Sequence, residues 1–196
     1  MAFRYRPLLW EDVPACIGIL TEHPILAPRF GTTANLVEAA LASAWTLDSV
    51  MSKALEETLP DGHARFLGAG VVGFVTDAFL ACLKTPPYFW IGPKVTGLFA
   101  AGQCPFLSND QLKTANSVGG LSAVTWLSLL NRAEMQRFEV QRLAMEAYRS
   151  MLRGYRLKEI IGQATVPEEL LAALRSGGLL LGPDGLPRKD APESAD

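Results

Sequence analysis

Cysteine and histidine are scarce in this chain, and the scarcity removes several function classes at once. Cys16, Cys82 and Cys104 are an odd number, widely spaced and without a CxxC pair, and His23 and His63 are the only imidazoles. A structural zinc site needs four convergent ligands at short spacings, and no metal site is expected here. A disulfide framework is equally unsupported, because each cysteine lies among apolar neighbours as a small buried hydrophobe would. Charge is also thin. Charged residues make up 19% of the 196 positions, below the roughly 25% usual for soluble domains. Lys+Arg 18 against Asp+Glu 20 leaves a net charge of −2, so no global field draws nucleic acid or an anionic membrane. Arg4 and Arg6 are followed by Glu11 and Asp12 rather than by an apolar stretch with a cleavage site, which argues against a signal peptide. The chain reads as cytoplasmic.

Apolar residues, by contrast, reach 49%, ample for the core of one domain and incompatible with intrinsic disorder. One long apolar run, Phe66 to Leu83, is broken only by Thr76 and Asp77. Its length approaches the minimum of about 17 residues for a spanning helix. An acid inside a bilayer costs up to about 3 kcal/mol, and Gly68, Gly70 and Gly73 lower helix propensity. Its VVGFV core instead reads as a strand buried on both faces.

The pattern along the chain alternates strands and helices. Arg4 to Leu9 is a strand, followed by a helix from Asp12 with Val13, Cys16, Ile17 and Leu20 as its buried stripe. A second helix opens at Thr33, places Val37, Ala40, Leu41, Ala44 and Trp45 on one face, and continues or restarts at Asp48 through Met51 and Leu55. Ala64 to Thr76 reads as two strands joined near Gly68 to Gly70. A short helix after Asp77 stops at Pro86-Pro87, and Tyr88 to Ala101 has helical spacing up to Gly102. Ser108 with Gln111 is a capping box opening a helix toward Asn116. Gly119-Gly120 then releases a central strand, LSAVTWLSLL. The longest helix is expected from about Ala133 to Leu152, with Phe138, Leu143, Met145, Tyr148, Met151 and Leu152 apolar. A strand over Leu157 to Gln163, a helix capped by Thr165 and Glu168 and closed by Gly177, and a last strand at Leu179 to Leu181 complete the order. Residues 1–182 form a single α/β domain with a mixed sheet covered by helices on both faces. Residues 183–196, with Pro183, Pro187 and Pro192, form a disordered tail.

This order resembles the GNAT N-acyltransferase fold. FRYRPLLWEDVPACIGIL is similar to that family's opening strand and helix. GYRLKEIIGQATVPEELLAALRSGGLLL is similar to its closing strand-helix-strand, with Gly177-Gly178-Leu179 at the final turn, and VVGFVTD resembles its central strand. Asn116, Gly119, Gly120 and Leu121, followed by Arg153 to Glu159, resemble the N-terminal GNAT-like part of some bacterial LuxR-type regulators. That resemblance implies the sensory or interaction half alone, since no helix-turn-helix is found in these residues.

The GNAT resemblance implies acyl-CoA as cofactor, its pyrophosphate held by backbone N–H groups of a glycine-bearing loop at a helix N-terminus. The equivalent stretch here, LLNRAEMQRFEVQ, contains no glycine; none occurs from Leu121 to Arg153. Trp126, Asn131 and Arg132 are the cofactor-facing candidates that remain, Asn131 as a helix cap and Arg132 as a point charge. The resemblance also implies a base for the amine and an acid for the departing thiolate, often a tyrosine. Asp77, Tyr148 and Tyr155 are the catalytic candidates. Asp77 is either such a base or the cap of the next helix, and each tyrosine is either an acid or an amphipathic residue packed at a helix end. Tyr88, Trp90 and Asn116 are candidates to line a ligand pocket or a dimer surface; core packing is the alternative for the aromatics, and a helix C-terminus for Asn116. Arg132, Arg137, Arg142, Arg149, Arg153 and Arg156, interspersed with glutamates, read as a solvated helix face rather than a nucleic-acid groove. The expectation is a GNAT-like domain without the usual phosphate loop, serving as a ligand-binding, sensory or dimerising module. An acyl-CoA-dependent N-acyltransferase with an atypical cofactor grip is the alternative.

Overall fold

The computed structural model describes residues 2–22, 34–85 and 90–162, and the backbone of 179–181 and 187–189. β1 (Ala2–Pro7), β2 (Val50–Thr58), β3 (Ala64–Phe74), β4 (Leu121–Leu130) and β5 (Leu157–Ile161) form one sheet in that spatial order. Neighbours are antiparallel except β4 and β5, which run parallel. Helices α1 (Val13–Glu22), α2 (Ala34–Ala44), α3 (Asp77–Lys84) and α4 (Ile91–Ala100) cover one face. The other is covered by α5 (Asn109–Val118) and α6 (Phe138–Leu152). This is a mixed α/β architecture with helices on both faces of the sheet, as the sequence implies. A separate pair, β6 (Leu179–Leu181) and β7 (Pro187–Lys189), is antiparallel. It includes the only described part of the 183–196 stretch.

β3 organises the interior because its alternate residues point both ways. Ala69, Val71 and Val75 enter the larger core with Val13, Cys16, Val37, Leu41 and Val95. Val72 and Phe74 enter a second core with Leu112, Leu121 and Met151. Leu67 joins Leu55, Val140 and Leu143 beneath α6. The expected break near Gly68 to Gly70 does not occur: β3 is one eleven-residue strand. Its glycines instead admit close neighbours, since a Cβ on Gly68 would meet the Leu129 carbonyl oxygen at 2.2 Å and one on Gly70 the Tyr148 hydroxyl at 2.9 Å.

The helix expected to reach Met51 and Leu55 is also corrected. α2 ends at Ala44, and Met51 and Leu55 belong to β2. Met, Lys, Ala, Leu and Glu all have high helix propensity, but β1 and β3 pair with this segment on both sides, and tertiary pairing overrides local preference. The longest helix starts later than expected. A 3₁₀ turn occupies Arg132–Glu134 and α6 begins at Phe138. Phe138 and Met145, expected in its apolar stripe, are exposed, while Val140, Leu143, Ala147 and Met151 are buried. The expected capping box at Ser108 and Gln111 is present in both directions, and Gly119, at φ 78°, ends α5. The helix expected between Thr165 and Gly177 lies outside the described residues, as do His23 and Tyr88.

Candidate functional site: the β4–α6 connection

The connection between β4 and α6 is the stretch that the GNAT resemblance makes equivalent to a phosphate-binding loop. Several backbone donors in and beside it are already bonded. The N–H of Asn131 donates to Leu67 O at 2.8 Å, Glu134 N to Asn131 O at 2.8 Å, Arg137 N to Glu134 O at 3.0 Å, and Val140 N to Arg137 O at 3.1 Å. Asn131 makes no side-chain capping bond, and the residue before α6 is Arg137, so the expected capping role of Asn131 is not realised. Arg132 is exposed.

Beneath this turn lies a cluster that the sequence reading did not anticipate. The side chains of Glu57 on β2 and Glu134 in the turn are only 3% and 4% exposed. Arg65 reaches both, at 2.6 Å to Glu57 and 2.8 Å to Glu134, and Arg137 reaches both, at 3.0 and 2.7 Å. The Arg137 guanidinium also lies 4.9 Å from the Phe3 ring centre, so one cation is held by two carboxylates and an aromatic face. Arg137 and then Arg65 hold the Glu57 carboxyl below its ordinary range. Arg137 is therefore no member of a freely solvated basic face. By contrast, the exposed Arg142 and Glu146 form an i,i+4 pair at 3.8 Å on a solvated helix face.

The neighbouring Glu56 points to the opposite face of β2 and has its own partners. Its oxygens accept from Arg4 Nε and Arg6 Nε, both at 2.7 Å. Arg6 also grips Asp12 through two bonds of 2.6 and 2.8 Å, at the turn that opens α1. The consecutive glutamates thus tie β1 and α1 on one side and α6 on the other. Two adjacent acids in an apolar segment, with an Arg-x-Arg strand upstream, are the signal that could have found them.

The other candidate residues are dispersed. Asp77 is the exposed first residue of α3, and the cap is its neighbour Thr76, whose Oγ1 accepts from Phe79 N at 3.3 Å. Val75 bonds to Ser122 at the start of β4, whereas Tyr148 bonds to Leu127, roughly 16 Å further along at the strand rise. The fold therefore does not bring Asp77 and Tyr148 together. The hydroxyl of Tyr148 is turned into the protein, donating to Leu127 O at 3.1 Å, and burial pushes its pKa up to about 12. It borders a crevice between α6 and β3–β4, with Gly70, Ser128, Leu130 and Ala144, that has room for about one water molecule. Tyr155 packs against Phe74 with ring centres 4.6 Å apart, in the second core. Asn116 accepts from Arg156 N at 2.8 Å, and Arg156 Nη1 donates to Ser117 O at 3.0 Å, so Asn116 fastens α5 to the start of β5. Trp90 is the half-buried residue preceding α4. Trp126 is buried in the larger core, stacked on Phe99 at 5.9 Å and tilted against Phe106 at 5.7 Å.

The parallel pairing of β4 and β5 covers only Leu121 to Val124 of β4. Gly162 still lies beside Thr125, where a Cβ would meet Oγ1 at 3.6 Å. From Trp126 to Leu130, β4 has no hydrogen-bonded strand on its β5 side among the described residues. Also among the described residues, no group of His, Cys, Asp or Glu could hold a metal ion, and no helix is long and apolar enough to cross a membrane.

No family model matches this chain, and no curated protein matches it. Solved structures that align with this chain include two described as acetyltransferases. An acetyltransferase of Trypanosoma brucei aligns at TM-score 0.47 and 11% identity, over 92% of this chain and 94% of its own. A structure described as histone acetyltransferase HPA2 and related acetyltransferase from Corynebacterium glutamicum aligns at TM-score 0.46 and 10% identity, over 95% and 93%.

Proposed function

We propose that this chain is a GNAT-like ligand-binding or dimerising module rather than an efficient acyltransferase. The β4–α6 connection carries the reading. Four of its N–H donors are bonded to carbonyls within or beside the turn. Two of the arginines nearest to it are paired with buried glutamates. A pyrophosphate there would find several donors already bonded, no glycine to allow close approach, and two carboxylates just beneath. The separation of Asp77 from Tyr148 supports the same reading, since acid–base catalysis needs its groups within hydrogen-bond reach of one substrate. The resemblance of Asn116 to Leu121 and Arg153 to Glu159 to regulator domains accords with a sensory role.

One observation favours the alternative, an acyl-CoA-dependent N-acyltransferase with a different grip. β4 is unpaired beyond Thr125 on its β5 side among the described residues, which leaves an edge where an extended acyl carrier could lie. Calorimetric and thermal-shift titrations with acetyl-CoA and longer acyl-CoAs separate the two readings. No stabilisation up to millimolar ligand is expected; micromolar binding overturns the module reading. Light scattering tests the dimer, which a strict monomer at all concentrations would remove.

A further inference from the structure

α6 carries apolar residues on two sides. Val140, Leu143, Ala147 and Met151 are buried toward the sheet, yet on the outward side Phe138 is 70% and Met145 55% exposed. The half-buried Leu152 continues that row. Phe138, Met145 and Leu152 follow one another at intervals of seven, the repeat of a helix-pairing seam. Two charged rows of the same spacing run beside them. Arg142 and Arg149 make one, Glu139 and Glu146 the other, and all four are exposed. At about 100° per residue both rows fall on one flank of the apolar stripe, the arginines nearer and the glutamates further out. Their order is antisymmetric. Glu139 and Arg149 lie five residues to either side of Ala144, and Arg142 and Glu146 two residues to either side. The middle of the apolar stripe, Met145, is the next residue.

We propose that two copies of this chain pair through the outward face of α6, helix against helix and antiparallel. This rests on the dimerising reading above and names its interface. A twofold axis perpendicular to α6, passing between Ala144 and Met145, sets Met145 against its own copy and Phe138 against Leu152 of the second copy. The same rotation keeps each charged flank on its own side of the stripe. Glu139 then meets Arg149 of the second copy and Arg142 meets Glu146, and the symmetry makes each pairing twice. Within one chain Arg142 and Glu146 approach only to 3.8 Å, and both side chains are more than half exposed, so their charges remain available to a partner. Two acids and two bases leave the face without net charge, so it offers no field to nucleic acid or an anionic membrane. The partner that matches an antisymmetric row is the same row reversed. α6 has 15 residues, about 22 Å of helix. An interface of that length belongs at the small end of specific contacts, with a dissociation constant in the micromolar range or weaker.

The test is sedimentation velocity of the full chain over a concentration series reaching millimolar protein, with melting of dilute samples as the check on folding. Met145→Glu brings two carboxylates together at the twofold axis and is expected to abolish the dimer. Two charge variants test the pairing itself. Arg142→Glu with Arg149→Glu makes the flank wholly acidic, and Glu139→Arg with Glu146→Arg makes it wholly basic. Each alone is expected to self-associate about tenfold more weakly than wild type, the summed effect of reversing several exposed ion pairs. An equimolar mixture of the two is expected to regain most of the wild-type association as a heterodimer. The buried side of α6 is untouched in all three variants, so each should keep its fold. A wild-type dimer that Met145→Glu leaves intact, or charge variants whose mixture associates no better than either alone, would overturn the proposal, and the dimerising reading would then stand on another surface. A strict monomer at every concentration would overturn both, whereas the acyl-CoA titrations decide ligand binding separately.

Discussion

The hydroxyl of Tyr148 donates to the carbonyl of Leu127 at 3.1 Å while passing over Gly70, where a Cβ would stand 2.9 Å from that same oxygen. Of the two roles the sequence offers Tyr148, acid or amphipathic packing residue, this geometry supplies the packing. It joins α6 to β4 across a position that must lack a side chain.

Gly70→Ala should displace the Tyr148 ring and destabilise the fold by about 1–3 kcal/mol, the usual cost of overpacking. Tyr148→Phe alone should cost about 1 kcal/mol. Because the two positions share one contact, the double variant should cost less than the sum, as a urea-unfolding cycle would measure. Gly68→Ala should be the worse of the two glycine variants, since its obstacle is the Leu129 backbone oxygen at 2.2 Å rather than a side chain.

The Tyr148 phenol should ionise only near pH 12, against about 10 for an ordinary tyrosine. Burial favours its neutral form in the folded state. Its contribution to stability is therefore complete below about pH 10 and is lost as pH rises through about 12. An ultraviolet absorbance titration of wild type minus Tyr148→Phe isolates this ionisation.

Acid should loosen the β2–α6 junction. The Glu57 carboxyl is held low by Arg137 and Arg65. It contributes stability above the ordinary carboxylate value of about 4.3 and loses it as pH falls through the lower folded value. Urea midpoints should thus fall below about pH 4 in wild type. In Glu57→Gln the midpoint at neutral pH should be lower and its acid dependence shallower.

Thiol reactivity should sort by burial. Cys104 is exposed and should react first with a disulfide reagent at neutral pH. Cys16 is buried, its thiol pushed up to about 12 chiefly by desolvation and then by Asp12, and should react only when the protein unfolds. Reaction of Cys16 in the native state would show that α1 opens.

Much of the architecture was legible because its signals are local. LSAVTWLSLL is strand β4 from end to end, and the Ser108–Gln111 box opens α5, since alternation, capping chemistry and a following glycine act over a few residues. The expected site was less legible. The sequence leaves Tyr148, Tyr155 and Asn116 with two roles each, because their partners, Leu127, Phe74 and Arg156, lie far away in the chain. Glu56 and Glu57 are not legible as paired acids because they sit in a segment of helix-forming residues whose partners come from β1, β3 and the β4–α6 turn.

By itself, the sequence determined the class of the fold, the central strand, the capping box that opens α5 and the absence of glycine before the long helix, because those follow from periodicity and residue chemistry. Only the tertiary structure decided that Met51 to Thr58 is a strand, that Arg65 and Arg137 hold Glu57 and Glu134, and that Trp126 and Thr96 are buried without partners. Those outcomes depend on which distant segments meet. Strand pairing and the burial of charge are set by neighbours that local propensity does not encode.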